Sequence, residues 1–299
     1  MKSSTVLSAN NSKSIVEKIM FFVFLFCGLA AVISVVLISL YMVLSGGPAI
    51  AKIGVVKFLG SQIWSPEHNQ FGILALILSS ISATILAILL AVPLGVGVAV
   101  FLTHIAGKKV AGVFSMFIEL LAGIPSVVYG LLGAILIVPM IFKVQTAMNL
   151  PTGGSLAAAV VVLVIMIMPT IISVARTSIE AVPAQYRDAS LALGASKMQS
   201  IIKVIIPAAK SGIVAGIVLG VGRAIGETMA VMMVSGNAAI MPNLLKPVRV
   251  LTAGIAIEWA YSSGVHRQAL YGIGLVLFIF IMAINISISF ILKKGGDGK

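Results

Sequence analysis

Arg223 and Glu227 are the residues best placed to do chemistry, because both lie within the apolar stretch GRAIGETMAV. A guanidinium carries a fork of N–H donors that matches an oxyanion, and it does not deprotonate in proteins. Ionisable residues in apolar helices almost always face a packed interior or a water-filled path. The pattern allows an anion site on a translocation path or a self-neutralised Arg–Glu pair that braces the bundle, and the two are compatible. Glu119, another acid in an apolar stretch, is either a second partner of Arg223 or a helix-end residue.

The glycines before Arg223 indicate which face of the helix carries the charges. On an ideal helix each residue turns by about 100°, and five residues then share a stripe about 80° wide: Gly212, Gly216, Gly220, Arg223 and Glu227. Small residues let a neighbouring helix approach closely. A continuous helix over residues 208–234 therefore places both charges on a packed or lumen-facing side.

The composition indicates the elements that must position these charges. The chain has 299 residues, of which 60% are hydrophobic and only 9% are charged, and its mean hydropathy is +1.18. Soluble domains carry about 25% charged residues, so we expect an all-α, polytopic membrane protein. The one cysteine, Cys27, excludes a disulfide framework within one chain.

Six segments approach or exceed the roughly 20 apolar residues that a membrane helix needs: 19–44, 72–102, 110–142, 156–176, 208–234 and 269–292. The first is too long for the apolar region of a signal peptide, so we interpret it as a span. The third contains Pro125 and Pro139, so it either bends or divides into two shorter pieces.

The basic residues predict the orientation of these spans. The formal net charge is +12, and the loops and tails on one side hold thirteen lysines and arginines against six on the other. The positive-inside rule then places both termini in the cytoplasm. We expect a transmembrane domain over 19–292 between cytoplasmic tails at 1–18 and 293–299. Trp64 and Trp259 fall in outer segments, where they anchor the membrane interface or contact an external partner.

The cytoplasmic segment 177–207 has the pattern of a helix–turn–helix. Pro183 suits the first turn of a helix, and Gly194 suits a left-handed cap at its end. A second helix is predicted from about Ser196 to Ile205, stopping near Pro207. A loop tethered to spans at both ends is badly placed to enter a DNA groove, so no nucleic-acid partner is expected. A surface connector and a docking helix for a cytoplasmic protein stay open.

This segment resembles the "EAA" loop of permeases in binding-protein-dependent ABC importers. The matching positions are Asp188, Ala189, Ser190, Gly194 and Pro207, at the family's spacing, with conservative departures at Asp188 and Ser190. In that family the loop is the coupling helix that sits in a cleft of the ATPase subunit. The chain itself has no phosphate-binding loop, no cofactor motif and no metal-ligand spacing among its histidines. It is therefore not expected to be an enzyme, and a partner subunit supplies ATP hydrolysis.

The stretch GRAIGETMAV, followed by Gly236-Asn237, is similar to the fifth span of phosphate-specific ABC permeases. Residues 63–77 resemble the segment before the second span of PstC-type subunits. The resemblance implies a type I importer permease fold (MetI-like), with Arg223, Glu227 and, more weakly, Glu119 on the substrate path. It also implies three partners: a second, PstA-type permease subunit, an ATPase dimer and an extracytoplasmic phosphate-binding protein.

Other functions fit parts of the pattern. A permease for sulfate or molybdate would need the same guanidinium, so Arg223 alone does not separate these anions. A secondary anion transporter or channel would need no coupling loop and would normally show a second, matching half. A membrane scaffold would have no use for buried charges beside glycines.

Overall fold

The computed structural model describes the backbone of residues 3–296 and the side chains of residues 15–286. Residues 1–2 and 297–299 of the two expected tails lie outside the described residues. The described chain is almost entirely helical, which confirms the all-α expectation. Its fourteen α-helices are α1 (Ser3–Ile53), α2 (Val55–Gly60), α3 (Leu74–Val100), α4 (Lys108–Gly123), α5 (Ser126–Leu132), α6 (Val138–Ala147), α7 (Leu156–Glu180), α8 (Ala184–Ala192), α9 (Lys197–Ser200), α10 (Ile206–Ala208), α11 (Lys210–Gly226), α12 (Met229–Val234), α13 (Leu251–Glu258) and α14 (Gly264–Gly296).

Short elements lie between these helices. Two two-residue strands, β1 (Trp64–Ser65) and β2 (Gln70–Phe71), pair antiparallel with Trp64 opposite Phe71. Three π-helical turns follow α3, α5 and α9, at Phe101–Ile105, Gly133–Ile137 and Ile201–Ile205. We call the end of the bundle with β1 and β2 the hairpin face, and the end with α8 and α9 the loop face.

Within the described residues, five helices are long and apolar enough to cross a membrane: Ile15–Ile53, Leu74–Ile105, Ser126–Ala147, Leu156–Glu180 and Gly264–Ile286. A sixth crossing is the pair Lys197–Ala208 and Lys210–Gly226, which is bent by 69°. The bend falls at Ala209, directly after the helical segment that contains Pro207. If this bent pair is counted as one crossing, the chain has a multi-pass membrane fold with six crossings.

The predicted third span, 110–142, is not one helix. Ile124 and Pro125 have extended backbones, with ψ of 129° and 142°, and separate α4 from α5. Proline disfavours helical geometry in the residue before it, which accounts for the break. The apolar crossing instead runs from Ser126 to Ala147 through a π-helical turn, and α4 is a separate helix. The two-piece alternative is therefore correct and the single span is wrong.

Helix α7 is the centre of the bundle. Most of its side chains are buried, and α3 and α11 pack along it. The predicted glycine stripe of α11 forms one of these contacts. A Cβ at Gly216 would lie 3.0 Å from Val174 Cβ, and one at Gly220 would lie 3.0 Å from Ile171 Cγ1. A larger side chain at either position would press on Val174 or Ile171, so glycine suits the close contact between α11 and α7.

Replacing Gly216 with leucine is expected to destabilise the subunit by about 1–3 kcal/mol, because the added atoms overpack the contact with Val174. The matched control is Gly222→Leu in the same helix, where nothing lies within 4 Å of the added Cβ. Thermal unfolding of the purified subunit in detergent measures both. Equal midpoints for the two variants would show that the stripe does not set this packing.

Candidate functional site

Helix α11 ends before the predicted residue 234, so the continuous fifth helix is wrong. It stops at Gly226, Glu227 adopts an extended backbone (φ −68°, ψ 126°), and α12 begins at Met229. Tertiary contacts hold this geometry. The Glu227 carbonyl accepts a hydrogen bond from Thr252 Oγ1 at 2.8 Å, and the Glu227 carboxylate accepts one from Ala230 N–H at 2.9 Å. We call residues 226–228 the helix break.

Arg223 lies one turn before the helix break and faces α7. Its Nη1 donates to Thr170 Oγ1 at 3.2 Å, and its side chain is partly buried. In the described part of the chain it forms no ion pair with Glu227 or Glu119. The self-neutralised i,i+4 pair, one of the two arrangements that the sequence allows, is absent because the break turns Glu227 out of the helical register. Most of the guanidinium donors are therefore free for another acceptor.

Glu227 borders a small cavity between α3, α7, α11 and α12. Two hydroxyl residues, Ser80 and Thr84, share its wall, and its volume is about 10 Å³. That is about the space one water needs, given polar partners. The Ser80 hydroxyl already donates to Leu76 O and accepts from Leu251 N–H, each at 2.9 Å. Polar groups thus reach the interior of the bundle beside the helix break.

Glu119 lies apart from this arrangement. It is an exposed residue of α4, and neither a hydrogen bond nor an ion pair involves it among the described residues. Apolar neighbours on the same helix, Phe117 and Leu120, are exposed by 60% and 56%. An acid on an exposed apolar helix is expensive in lipid, so this face is suited to contact with protein or water rather than with hydrocarbon.

The helix–turn–helix predicted within 177–207 is present, although residues 177–180 belong to α7 and the second helix runs through a π-helical turn to Ala208. Pro183 precedes α8, and Gly194 follows it in the left-handed conformation with φ of +86°. Ser196 and Gln199 form a reciprocal capping box at the start of α9. Helix α8 meets the following segment through the Ser190 hydroxyl, which donates to Ser200 Oγ at 2.6 Å.

The five residues of the EAA-like pattern lie on α8 or in the segment that follows it, and four of them are exposed to solvent. Asp188 and Ala189 are exposed on α8, whereas Ser190 is buried. Asp188 Oδ1 accepts from Arg187 Nε and Nη2, each at 3.2 Å. Gly194 and Pro207 are also exposed. Helix α8 therefore presents an exposed surface at the loop face.

Sequence reasoning missed a charged cluster at the hairpin face. The carboxylate of Glu258 accepts from Trp64 Nε1 at 2.9–3.0 Å, pairs with Arg249 and lies 2.7 Å from His266 Nε2. The side chains of Arg249, Glu258 and His266 are only 16–19% exposed. Trp64 is thus a hydrogen-bond donor inside the protein, a role that its predicted place at the interface did not indicate.

Hydrogen bonds connect this cluster to the helix break. Arg249 Nε donates to Asn237 O at 2.8 Å, and Asn237 Nδ2 donates to Met232 O at 2.7 Å. Met232 belongs to α12, whose first turn is capped by Glu227. A chain of hydrogen bonds therefore links the cluster to the residues beside Arg223.

The chain is similar to membrane components of known transport systems over most of its length. The family model for the inner membrane component of binding-protein-dependent transport systems matches residues 91–294. The probable ABC transporter permease protein YqgH of Bacillus subtilis is 37% identical over 273 residues, which are 87% of this chain and 86% of the relative. The phosphate transport system permease protein PstC of Xylella fastidiosa is 34% identical over 282 residues, which are 88% and 87% of the two chains.

Solved structures share the fold at lower identity. The inward-facing MetNI methionine ABC transporter has a chain with a TM-score of 0.53 and 20% identity, covering 73% of this chain and 91% of that one. A bacterial alginate ABC transporter, solved with its alginate-bound periplasmic protein, has a chain with a TM-score of 0.59 and 15% identity, covering 89% and 92%. The expected MetI-like permease fold is confirmed.

Proposed function

Because the chain belongs to the family of binding-protein-dependent transport system inner membrane components, we propose that it is the membrane-spanning subunit of an ATP-driven importer of inorganic phosphate. Its relatives are ABC permease subunits, which are not enzymes themselves. The observation that carries the phosphate assignment is the identity of 34% to PstC across 88% of the chain. A guanidinium with free donors beside a helix break fits that cargo, because its N–H fork matches phosphate oxygens.

We propose that phosphate passes the helix break. Discontinuous helices near the middle of a membrane often form the substrate sites of transporters, because their freed backbone groups line a polar cavity. Arg223 would meet the anion there, and Glu227 would hold the break by capping α12. Glu119 is a weaker candidate for this path, since its exposed face of α4 would need to meet the second half of the pore.

We also propose an orientation and a location for the chain. The described loop face is rich in lysine and arginine, which supports a cytoplasmic loop face and cytoplasmic termini in the inner membrane of a prokaryote. Half of the pore would come from this chain and half from a second, PstA-type permease subunit. A phosphate-binding protein would deliver the anion at the hairpin face, outside the cytoplasm.

We propose that α8 docks in a cleft of a separate ATPase dimer, with Asp188, Ala189, Ser190, Gly194 and Pro207 forming and supporting that helix. The exposure of the helix supports this. Tyr186, Ala189 and Leu193 follow at i, i+3 and i+7, the spacing of apolar anchors in helix-in-groove recognition. Leu193 is 90% exposed and Tyr186 is 49% exposed.

Replacing Leu193 with serine is expected to lower the amount of ATPase that copurifies with the permease at least fivefold, because the docking helix loses an apolar anchor. The matched control is Met198→Ser, at a 52% exposed residue on α9 of the same face. Pull-down of the ATPase from membranes measures the effect. The docking assignment is contradicted if both variants retain the wild-type amount.

Substrate-dependent stimulation of ATP hydrolysis tests the cargo. The complex is assembled with its binding protein and supplied with phosphate, sulfate or molybdate at equal concentration. We expect phosphate alone to stimulate hydrolysis. Stimulation by sulfate without stimulation by phosphate would replace the cargo while leaving the permease assignment in place.

A further inference from the structure

A cleft at the loop face is separate from the helix break, and the proposed transport path does not involve it. It lies between the π-helical turn that follows α3, the end of α7 and the start of α8, and its volume is about 180 Å³. Pockets for drug-sized ligands measure about 300–1,000 Å³, so this one suits a small ion. Its wall includes Thr103, His104, Glu180 and Arg187. We call it the α3–α8 cleft.

Arg187 brings a guanidinium with spare donors to the cleft. Its Nε and Nη2 reach Asp188 Oδ1 only at 3.2 Å, longer than the roughly 2.7–2.9 Å of a strong charged hydrogen bond. Both side chains of this pair are more than half exposed. Nη1 has no partner among the described residues. The guanidinium is therefore weakly held and can turn toward an anion.

His104 presents one ring nitrogen without a partner. The Thr103 hydroxyl donates to Ala99 O at 3.0 Å, so its oxygen accepts from His104 Nδ1–H at 2.7 Å. This arrangement leaves Nε2 of the neutral ring as a hydrogen-bond acceptor, with no partner among the described residues. An acceptor beside a guanidinium suits an anion that itself carries a hydroxyl group.

The one acid in the cleft wall is already neutralised. Glu180 Oε1 accepts from Arg176 Nε at 2.8 Å, and Arg176 Nη1 donates to Ser115 on α4. Arg176 thus offsets the negative charge of Glu180 from outside the cleft. The Arg187–Asp188 pair is longer and more exposed than the Arg176–Glu180 pair, so the Arg187 guanidinium is the cation that an incoming anion would draw from its partner.

We propose that the α3–α8 cleft binds a protonated phosphate group, with Arg187 on its unprotonated oxygens and His104 Nε2 accepting from its P–OH. Inorganic phosphate and the phosphate monoester headgroup of a lipid share this chemistry, whereas sulfate carries no proton at neutral pH. The occupant would bridge α3 and α8 and so hold the position of α8. Any influence of this occupant on ATPase coupling rests on the proposed function, whereas the binding of phosphate to the cleft does not.

The binding test uses the full chain with Arg223→Gln, which removes the proposed path site, in phosphatidylcholine nanodiscs. Equilibrium dialysis with labelled inorganic phosphate measures occupancy. We expect Arg187→Gln and His104→Gln each to lower binding at least fivefold, and Lys203→Gln, at an exposed cation of the same face, to leave it within twofold. We also expect sulfate to compete at least fivefold more weakly than phosphate. Equal binding by the Arg187→Gln variant, or an equal loss with Lys203→Gln, would overturn the proposal.

Two further measurements distinguish free phosphate from a lipid headgroup and test the effect of the bound group on α8. Phosphatidic acid competes with labelled phosphate if its headgroup occupies the cleft. Arg187-dependent phosphate binding that persists in nanodiscs containing phosphatidic acid therefore supports free phosphate as the occupant. Loss of that binding in the same nanodiscs supports the lipid headgroup. Absence of Arg187-dependent binding in both membranes overturns the site. Hydrogen exchange of residues 184–192 is expected to slow at least threefold when phosphate is added, and unchanged exchange would contradict the bridge to α8.

Discussion

Arg223→Lys is expected to lower phosphate uptake by the assembled importer at least tenfold while the complex still forms. Lysine keeps the charge but loses the fork of donors that matches phosphate. A hydrogen bond to a charged group contributes about 1.5–3 kcal/mol, which corresponds to roughly a tenfold or larger change in rate. Uptake of labelled phosphate into proteoliposomes measures the loss, and copurification of the partners checks assembly.

Thr170→Val separates substrate contact from bracing. Thr170 Oγ1 is the acceptor that the Arg223 guanidinium contacts in the described structure, and valine removes that contact while keeping the shape. If Arg223 braces α11 against α7, the Thr170 variant should lose uptake as strongly as Arg223→Lys. If Arg223 meets phosphate, we expect a loss below threefold. Wild-type uptake by Arg223→Lys would remove the residue from the substrate path.

Glu258→Ala is expected to destabilise the subunit by about 3–5 kcal/mol, because it leaves the mostly buried Arg249 without its counter-charge. The Trp64 indole N–H and His266 lose their acceptor as well. Thermal unfolding in detergent measures the change. Glu67→Ala is the control, since Glu67 is an exposed acid of the same face and surface substitutions usually change stability by less than about 0.5 kcal/mol.

A second variant identifies the cause of that loss. Replacing both Arg249 and Glu258 with methionine removes the charge pair together, and buried pairs replaced by apolar residues often retain or gain stability. We therefore expect the double variant to unfold at a higher temperature than Glu258→Ala. A double variant that unfolds no later than the single one would show that the uncompensated charge is not the source of the effect.

The fold was predictable where one residue's own conformational preference decides the local structure. Gly194 ends α8 with positive φ, a conformation that favours glycine, and Pro125 separates α4 from α5 through its effect on Ile124. The glycine stripe of α11 was likewise visible, because helical periodicity alone puts its members on one face. Composition was sufficient for a polytopic helical membrane protein.

The helix break was not predictable, because contacts from elsewhere in the chain hold it. Glu227 is compatible with a helix, and apolar residues continue on both sides of it. Its extended backbone is held by Thr252, 25 residues away, and by the capping of Ala230. The Arg223–Glu227 pair, one of the two arrangements that the sequence allows, requires an unbroken helix, so it is absent for the same reason.

The cluster around Glu258 was not predictable for the same reason, because contacts between distant parts of the chain form it. Trp64 and Glu258 are 194 residues apart, and no spacing rule joins them. A partial signal was available, since Arg249, Glu258 and His266 are ionisable residues in a short stretch between apolar segments. Such a stretch indicates that charges must be paired, but it does not indicate with which partner.

ATP-dependent uptake of labelled phosphate tests the central claim most directly. The chain is reconstituted in liposomes with the second permease, the ATPase and the binding protein, and also alone. We expect uptake only from the complete assembly, only with ATP, and with phosphate preferred over sulfate. Phosphate uptake by the chain alone without ATP would contradict the account and identify a secondary transporter instead.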